Sequence, residues 1–185
     1  LQDSMFELDN LSAYLGKLKD MVCADERETL LRPSAFNLRE LVEKVVRLTN
    51  IPAGKKVSFS TAFPPDMPDL TADPVHVANV LSNLIENAIK YSGEEVNIDI
   101  VVLWNQQGVE LTVSDNGFGI APDERRKVFE KFYRSSHLLD KQIPGIGLGL
   151  SYVRQIVEAH HGSVSLRSEL GEGTRITINL PTTAL

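Results

Sequence analysis

The sequence has one cysteine, no excess of basic residues and no long apolar run, and each shortage excludes a class of protein. The single cysteine, Cys23, cannot form an internal disulfide, which is typical of a reducing compartment. The net charge of −6 argues against a nucleic-acid surface, which needs a basic patch. No apolar run approaches the roughly 20 residues that span a bilayer, and no secretory signal is recognisable. We therefore expect a soluble cytoplasmic domain without a nucleic-acid partner, which contacts a membrane only through parts outside this chain.

The apolar content suffices for one well-packed domain preceded by a helix. Hydrophobic residues make up 42% of the 185 residues and charged residues 24%, which is ordinary for a globular protein. Within residues 1–24 the apolar residues follow spacings of three and four, as in a coiled-coil seam. These are Leu8, Leu11, Leu15, Leu18 and Val22. The pattern predicts a helix from a dimer or bundle, or else one that lies on its own domain. Because the chain begins inside this pattern, we expect it to be a piece of a longer protein.

The remaining pattern predicts an α+β domain over 37–181, after a linker at 25–36 and before a tail at 182–185. Asn37 has the character of a helix N-cap, and Asp73-Pro74 starts the next helix, with proline in its first turn. The predicted order is helix 38–50, strand 56–60, an irregular proline-rich stretch 62–74, helix 74–91, strands 95–104 and 108–115, a short helix near 122–132, a helix from about Gly147 to a cap near Gly162, and strands 163–168 and 173–180. This order favours a two-layer sandwich, in which helices cover one face of a mixed sheet.

The helix at 74–91 carries an unusual polar stripe opposite its apolar face. The stripe consists of Asn79, Asn83, Glu86, Asn87 and Lys90. Asparagine is a poor helix former, so three of them on one face suggest a task other than solubility. Asn83 and Asn87 lie one turn apart, which lets both amide oxygens converge on one ion, such as the Mg²⁺ of a bound nucleotide. An ordinary polar face is the alternative.

Two glycine-rich stretches add to this picture. Asp115 ends a predicted strand and is followed by Gly117 and Gly119, so its carboxylate can accept a hydrogen bond from an exocyclic amine while the glycines let a ring approach. A simple turn is the alternative. The stretch PGIGLGLSYV at 144–153 opens a helix, where backbone N–H groups favour phosphate. It matches neither the dinucleotide loop, which follows a strand, nor the lysine-containing P-loop.

Taken together, five motifs occur in a fixed order. They are NLIENAIKY at 83–91, DNGFG at 115–119, FEKFYR at 129–134, GIGLGL at 145–150 and GEGT at 171–174. In this order they resemble the catalytic ATP-binding domain of sensor histidine kinases, in the superfamily with gyrase, the Hsp90 chaperones and MutL. The resemblance covers about 36–181 and implies the Bergerat ATP-binding fold. It also implies that residues 1–24 are the second helix of a dimerisation hairpin.

The resemblance implies a set of roles around ATP and Mg²⁺. Towards the base, Asp115 reads the adenine amine, and Thr174 touches adenine through water or is a buried strand residue. The other base-side residues are Gly117, Gly119, Ile120 and Phe132, while Tyr91 lies against the nucleotide. Towards the phosphates, Asn87 and Asn83 hold Mg²⁺, and Lys90 meets phosphate charge. The backbone of Gly145, Gly147, Leu148 and Gly149 completes this end. Arg134 reaches the γ-phosphate or is a surface charge. Residues 134–146 form a lid whose apolar residues dock when ATP binds.

The implied function is a protein-histidine kinase of a two-component system. ATP would phosphorylate a histidine on a dimerisation helix outside this chain, for relay to an aspartate in a response-regulator receiver domain. The parent protein would be a homodimer. We expect no self-phosphorylation, because none of the four histidines has the context of a phosphoacceptor; we expect them at surface or capping positions. They are His76, His137, His160 and His161. One alternative is a hydrolytic switch like gyrase, which places glutamate where Asn83 stands; another is the nucleotide-binding scaffold of a sensor that mainly dephosphorylates its partner.

Overall fold

A computed structural model describes residues 30–105, 107–135, 143 and 145–181. Predictions for the helix at 1–24, the tail at 182–185, His137 and most of the lid fall outside the described residues. The described helices are α1 Leu38–Leu48, α2 Pro74–Lys90 and α3 Gly149–Ala159, with a 3₁₀ helix at Lys127–Phe129. The described strands are β1 Ser34–Phe36, β2 Lys56–Ala62, β3 Leu70–Ala72, β4 Glu95–Asn105, β5 Gly108–Asp115, β6 Ser163–Glu169 and β7 Gly173–Pro181.

The main sheet is mixed, as the sequence predicts. Its five strands run in the order β2-β4-β5-β7-β6. Strands β2 and β4 are parallel, whereas every other neighbouring pair is antiparallel. Strands β1 and β3 form a separate antiparallel pair. The α+β class is therefore confirmed.

The core lies between one face of the sheet and the helices. Strand β4 alternates, so that Val96, Ile98, Ile100 and Val102 are buried while their neighbours face outward. Helix α2 lays its apolar stripe on this face, with Leu81 and Ile85 fully buried. On the outward face of the sheet, polar side chains form hydrogen bonds between neighbouring strands. Thr112 and Thr177 are 2.9 Å apart, and Ser60 donates to Asp99 at 2.7 Å. The sheet is thus apolar towards the helices and polar on the other face.

Side chains cap two helix starts, at Asn37 as the sequence predicts and also at Asp73. The Asn37 side chain accepts a hydrogen bond from the Glu40 N–H at 3.1 Å. The Asp73 side chain accepts from the N–H groups of Val75 and His76 at 3.0 and 3.1 Å. Each bond satisfies a donor that the first turn of a helix leaves unpaired.

The predicted cap at the end of α3 is wrong by one residue. His161, and not Gly162, takes the left-handed conformation, with φ of 57°. The His161 N–H donates to Glu158 and the Gly162 N–H to Val157, which is the Schellman pattern. Glycine is needed at 162 for another reason, since a Cβ there would lie 2.2 Å from the carbonyl oxygen of Asn179 in β7.

Four further expectations differ from the structure. Leu70–Ala72 was expected to be irregular, and Ser34–Phe36 fell in the predicted linker, yet these segments pair as β3 and β1. The helix near 122–132 is reduced to the three-residue 3₁₀ helix. Helix α3 begins at Gly149, two residues later than expected, because Gly147 has φ of 79°. Among the described helices, none has both the length and the apolar character required to cross a membrane.

Candidate functional site

The asparagine stripe of α2 faces the first residue of α3. A Cβ atom placed on Gly149 would lie 3.1 Å from Asn83 Oδ1 and 3.7 Å from Asn87 Oδ1, so both amides converge there. Asn83 Nδ2 donates to the Asn79 carbonyl at 2.8 Å, which turns Asn83 Oδ1 away from its own helix. The sequence placed these two amides together, and the structure brings them to one point at the start of α3.

Lys90 and Tyr91 continue this surface at the end of α2. The Lys90 ammonium lies 4.9 Å from the centre of the Tyr91 ring. It also lies against the glycine loop, since a Cβ on Gly145 would be 2.1 Å from Lys90 Nζ. A positive charge therefore stands beside the loop that opens α3.

The glycine loop needs glycine for its backbone shape. Gly145 and Gly147 have φ of 149° and 79°, in the region that other residues rarely adopt. Gly147 also lies against the backbone of Phe132 and Tyr133, where a Cβ would meet the Tyr133 carbonyl at 2.6 Å. Leu148 caps α3 without a side-chain hydrogen bond, so its side chain does not occupy the first N–H donors of the helix. These donors suit an anion.

Asp115 is held at the end of β5 by two backbone donors. Its Oδ1 atom accepts from the N–H groups of Gly117 at 2.8 Å and Thr174 at 3.2 Å. Burial raises the pKa of Asp115 to about 6, against the lowering effect of these two hydrogen bonds. Within the part of the chain that the structure describes, both bonds end on Oδ1, which leaves Oδ2 for a ligand. A half-buried carboxylate in this setting is a typical feature of a binding site.

The glycines around Asp115 permit close backbone contacts. A Cβ on Gly117 would lie 2.5 Å from the Tyr91 carbonyl oxygen, and one on Gly119 would lie 1.8 Å from that of Glu169. The Phe118 N–H donates to the Tyr91 carbonyl at 2.9 Å. The loop after β5 is therefore fastened to the end of α2, which joins the Asp115 side of the site to the Lys90 side.

Ser168 is a site residue that the sequence did not reveal. Its hydroxyl is buried and bonds to Ile120, Gly173 and Thr174, three residues around Asp115. The alternation of the strand puts Ser168 on the same face as Leu166 and opposite the exposed Ser165, and this phase is the local signal that distinguishes the two serines.

The segment around Arg134 is only partly described. Arg134 is exposed, and its guanidinium donates to the Ile143 carbonyl. Phe132 has φ of 65° and is 64% exposed, and its N–H donates to the Gly147 carbonyl at 2.9 Å. The structure thus places Phe132 beside the glycine loop. Residues 136–142 and 144 of the predicted lid lie outside the described residues.

Glu124 and Lys55 bond to segments next to the site, and no local sequence pattern indicates either role. The Glu124 carboxylate is 2% exposed and accepts hydrogen bonds from the hydroxyls of Tyr133 and Ser135, which flank Arg134. Lys55 donates to the carbonyls of Ile89 and Ser92 at the end of α2, and burial lowers its pKa. Both residues stabilise segments that carry predicted site residues.

The described histidines make structural contacts. His76 Nδ1 lies 2.9 Å from the Tyr152 hydroxyl, and His161 is the left-handed residue after α3. His160 takes a capping position, as expected, since it is the C-cap residue of α3, but it is buried, with 3% of its surface exposed. Its Nε2 accepts from the Asp73 N–H at 3.0 Å, while its Nδ1 lies 2.8 Å from the Ile156 carbonyl. Burial lowers the pKa of His160, which favours the neutral ring.

The donor set near Gly149 suits a hard cation that is held mainly by other ligands. Amide oxygens are acceptable ligands for Mg²⁺, which keeps several waters and is commonly shared with phosphate oxygens. Among the described residues there is no group of three or more histidine, cysteine or acidic side chains that could hold a metal. The asparagine pair therefore fits Mg²⁺ only together with a phosphate ligand.

Comparisons with known proteins agree with this geometry. A family model described as histidine kinase-, DNA gyrase B-, and HSP90-like ATPase matches residues 72–184. The sensor protein RprX of Bacteroides fragilis is 32% identical over 180 residues, which are 95% of this chain and 34% of RprX. The adaptive-response sensory kinase SasA of Parasynechococcus marenigrum is 36% identical over 156 residues, which are 83% of this chain and 40% of SasA.

A solved structure extends the likeness to three dimensions. The crystal structure of full-length ShkA in complex with AMPPNP has a TM-score of 0.81 and 25% identity, and the match covers 96% of this chain and 37% of that chain. This chain thus spans only about a third of the length of ShkA and RprX. The family model covers most of the folded domain, and the order of motifs and the shape of the site agree with it. The chain therefore belongs to the histidine kinase-, DNA gyrase B- and HSP90-like ATPases and is the ATP-binding catalytic domain of a sensor histidine kinase.

Proposed function

We propose that this domain binds Mg²⁺–ATP with adenine against Asp115, and that it transfers the γ-phosphoryl group to a histidine of a dimerisation helix outside the chain. The phosphoryl group then passes to an aspartate of a response-regulator receiver domain. The parent is proposed to be a cytoplasmic-facing homodimer, joined through the helical hairpin to which residues 1–24 contribute.

The observation that carries the proposal is the environment of Asp115. A carboxylate whose pKa is raised by burial lies at the end of a central strand, with backbone donors on Oδ1 and the glycines 117 and 119 beside it. The 6-amino group of adenine is a donor that fits Oδ2, whereas the 6-carbonyl of guanine would face the carboxylate lone pairs. The arrangement therefore supports recognition of adenine over guanine.

The phosphate end is proposed to lie at the start of α3. The Lys90 ammonium stands against the glycine loop, and the N–H groups that begin α3 suit phosphate oxygens. Asn87 and Asn83 would hold Mg²⁺, which when bound neutralises the charge that develops on the phosphates. Tyr91 would lie beside the nucleotide, with Ile120 and Phe132 as proposed walls of the base pocket.

Transfer is proposed to follow the usual balance of phosphoryl transfer. The bond between the γ-phosphorus and the bridging oxygen breaks, ADP leaves, and the new bond joins phosphorus to an imidazole nitrogen. Arg134 is proposed to leave the Ile143 carbonyl and to stabilise the spread negative charge through its guanidinium. Its position is supported by Tyr133 and Ser135, which both bond to Glu124.

Position 83 favours phosphoryl transfer over the hydrolytic alternative. An amide is neither acid nor base near neutral pH, and Asn83 already donates to the Asn79 carbonyl, so it has no means to activate water. A gyrase-like switch needs a carboxylate at this place. The variant Asn83→Glu tests the distinction, because it should raise the hydrolysis of ATP if only the base is missing.

The proposal is tested with γ-labelled ATP and a separately purified dimerisation hairpin from a sensor kinase. We expect no acid-labile label on this chain alone, and label on the hairpin histidine when the two are mixed. The Asp115→Asn variant should transfer no label, whereas Asp99→Asn, on the outward face of β4, should act like wild type. Bound ATP without transfer to any hairpin would favour the scaffold of a mainly dephosphorylating sensor.

A further inference from the structure

We propose that Ser168 is a positioning residue for base recognition, because it fixes the direction in which the Thr174 hydroxyl points its proton. The inference rests on the proposed function, since it concerns the base that Asp115 contacts. It starts from the buried Ser168 hydroxyl, which is 6% exposed and has three partners.

The three partners can share the available protons in only one consistent way. The Ile120 N–H is a donor and lies 2.8 Å from Ser168 Oγ, so Ser168 accepts there. The Gly173 carbonyl is an acceptor and lies 2.7 Å away, so Ser168 donates its single proton there. Thr174 Oγ1 is the third partner, at 3.0 Å. With the Ser168 proton committed to Gly173, Thr174 must donate its own proton to Ser168.

This arrangement leaves Thr174 only acceptor capacity towards the base. Thr174 lies directly opposite Asp115 in the β5–β7 ladder, and its N–H donates to Asp115 Oδ1. The edge that reads the base therefore presents a carboxylate and a hydroxyl lone pair, and both accept. A 6-amino purine offers donors to this edge, directly or through a water molecule. The 6-carbonyl oxygen of a 6-oxo purine offers only lone pairs to these acceptors, so that group is rejected.

The variant Ser168→Ala should weaken this rejection. Without the serine oxygen, the Thr174 hydroxyl is free to rotate and to donate to a 6-carbonyl group. Titrations with ADP and with inosine diphosphate, which differ at the 6-position by amino against carbonyl, measure the preference. We expect the ratio of their affinities to fall about threefold to tenfold, as one regained hydrogen bond allows. Ser165→Ala, on the exposed face of the same strand, should leave the ratio unchanged.

A second substitution separates proton direction from general loosening. In the double variant Ser168→Ala, Thr174→Val the donor is removed again, so the preference for ADP should return towards the wild-type ratio. A purely structural role of Ser168 would lower the affinity for both nucleotides equally and would not be reversed by Thr174→Val.

The outcomes distinguish this inference from the proposed function. If the wild-type chain binds no ADP, the proposed function fails and the inference falls with it. If the wild-type chain binds ADP but Ser168→Ala keeps the wild-type ratio, only the inference is overturned. Should Ser168→Ala not fold, NMR of the wild-type chain decides: a slowly exchanging Thr174 hydroxyl proton close to Ser168 supports it, and a Ser168 hydroxyl proton directed at Thr174 contradicts it.

Discussion

Replacing Asp115 by asparagine should make the nucleotide-free domain more stable while it abolishes nucleotide binding. Asparagine keeps the oxygen that accepts from Gly117 and Thr174, so the backbone around the site stays bonded. The substitution removes the charge, which is costly because the Asp115 carboxylate is half-buried. Since the pKa of Asp115 is raised by burial, its ionised form destabilises the folded state at neutral pH.

The size of the effect follows from proton linkage. Taking the folded pKa as about 6 and the model-peptide value as 3.8, the ionised carboxylate costs about 3 kcal/mol at pH 7. The cost is an upper bound on the gain from Asp115→Asn, and we expect a gain of about 1–3 kcal/mol. Between pH 4 and 6 the folded state binds more protons than the unfolded state, so stability falls as the pH rises. At pH 5 the gain should therefore be about half of its value at pH 7.

Urea unfolding followed by circular dichroism, at pH 7 and at pH 5 without nucleotide, measures this gain for wild type and Asp115→Asn. Asp99→Asn is the matched control, because Asp99 is exposed and bonds only to Ser60 in the part of the chain that the structure describes. A variant that is less stable than wild type at pH 7, or a gain that is larger at pH 5 than at pH 7, would refute the reasoning.

Three further predictions concern other parts of the domain. His161→Gly should stabilise the domain by about 0.5–1 kcal/mol in urea unfolding, because glycine adopts the left-handed conformation without strain. His161→Ala should give no gain in stability. An equal gain for both variants would contradict the explanation from the left-handed conformation of residue 161. Because burial lowers the pKa of His160, the unfolded state binds more protons than the folded state below about pH 6.5. The contribution of neutral His160 to the free energy of unfolding is therefore present above that pH and is lost as the pH falls. His160→Gln should flatten the change in unfolding free energy between pH 7.5 and 5.5, and an unchanged slope would exclude His160 as the source of that change. Gly149→Ala should weaken Mg²⁺-dependent binding of ADP in calorimetry at least severalfold, since its methyl group would lie 3.1 Å from Asn83 Oδ1. The control is Gly93→Ala, because a Cβ at Gly93 meets open space. Equal affinities of the two variants for ADP would argue against a ligand between Asn83 and α3.

The local parts of the fold could be predicted because their causes are local. The caps at Asn37 and Asp73 depend on side chains within three residues of the N–H groups they accept from. The alternation in β4 and the apolar stripe of α2 follow from the periods of a strand and a helix. The same periodicity placed Asn83 and Asn87 on one face, where the structure has them.

The remaining features depend on contacts between distant segments. Strand β3 pairs with β1 across more than thirty residues, and no local pattern in a proline-rich stretch indicates this. Gly162 was expected to cap α3, but its small size serves the contact with Asn179 in β7 and the cap moves to His161. The roles of Ser168 and Lys55 arise in the same way, since their partners are brought to them by the tertiary fold.

The most direct test of the account is calorimetric titration of the wild-type chain and Asp115→Asn with ADP and GDP in the presence of Mg²⁺. We predict that the wild-type chain binds ADP and not GDP, and that Asp115→Asn, although folded and at least as stable, loses ADP binding. Equal binding of ADP and GDP, or full retention of ADP binding by Asp115→Asn, would contradict the claim that Asp115 recognises adenine in this domain.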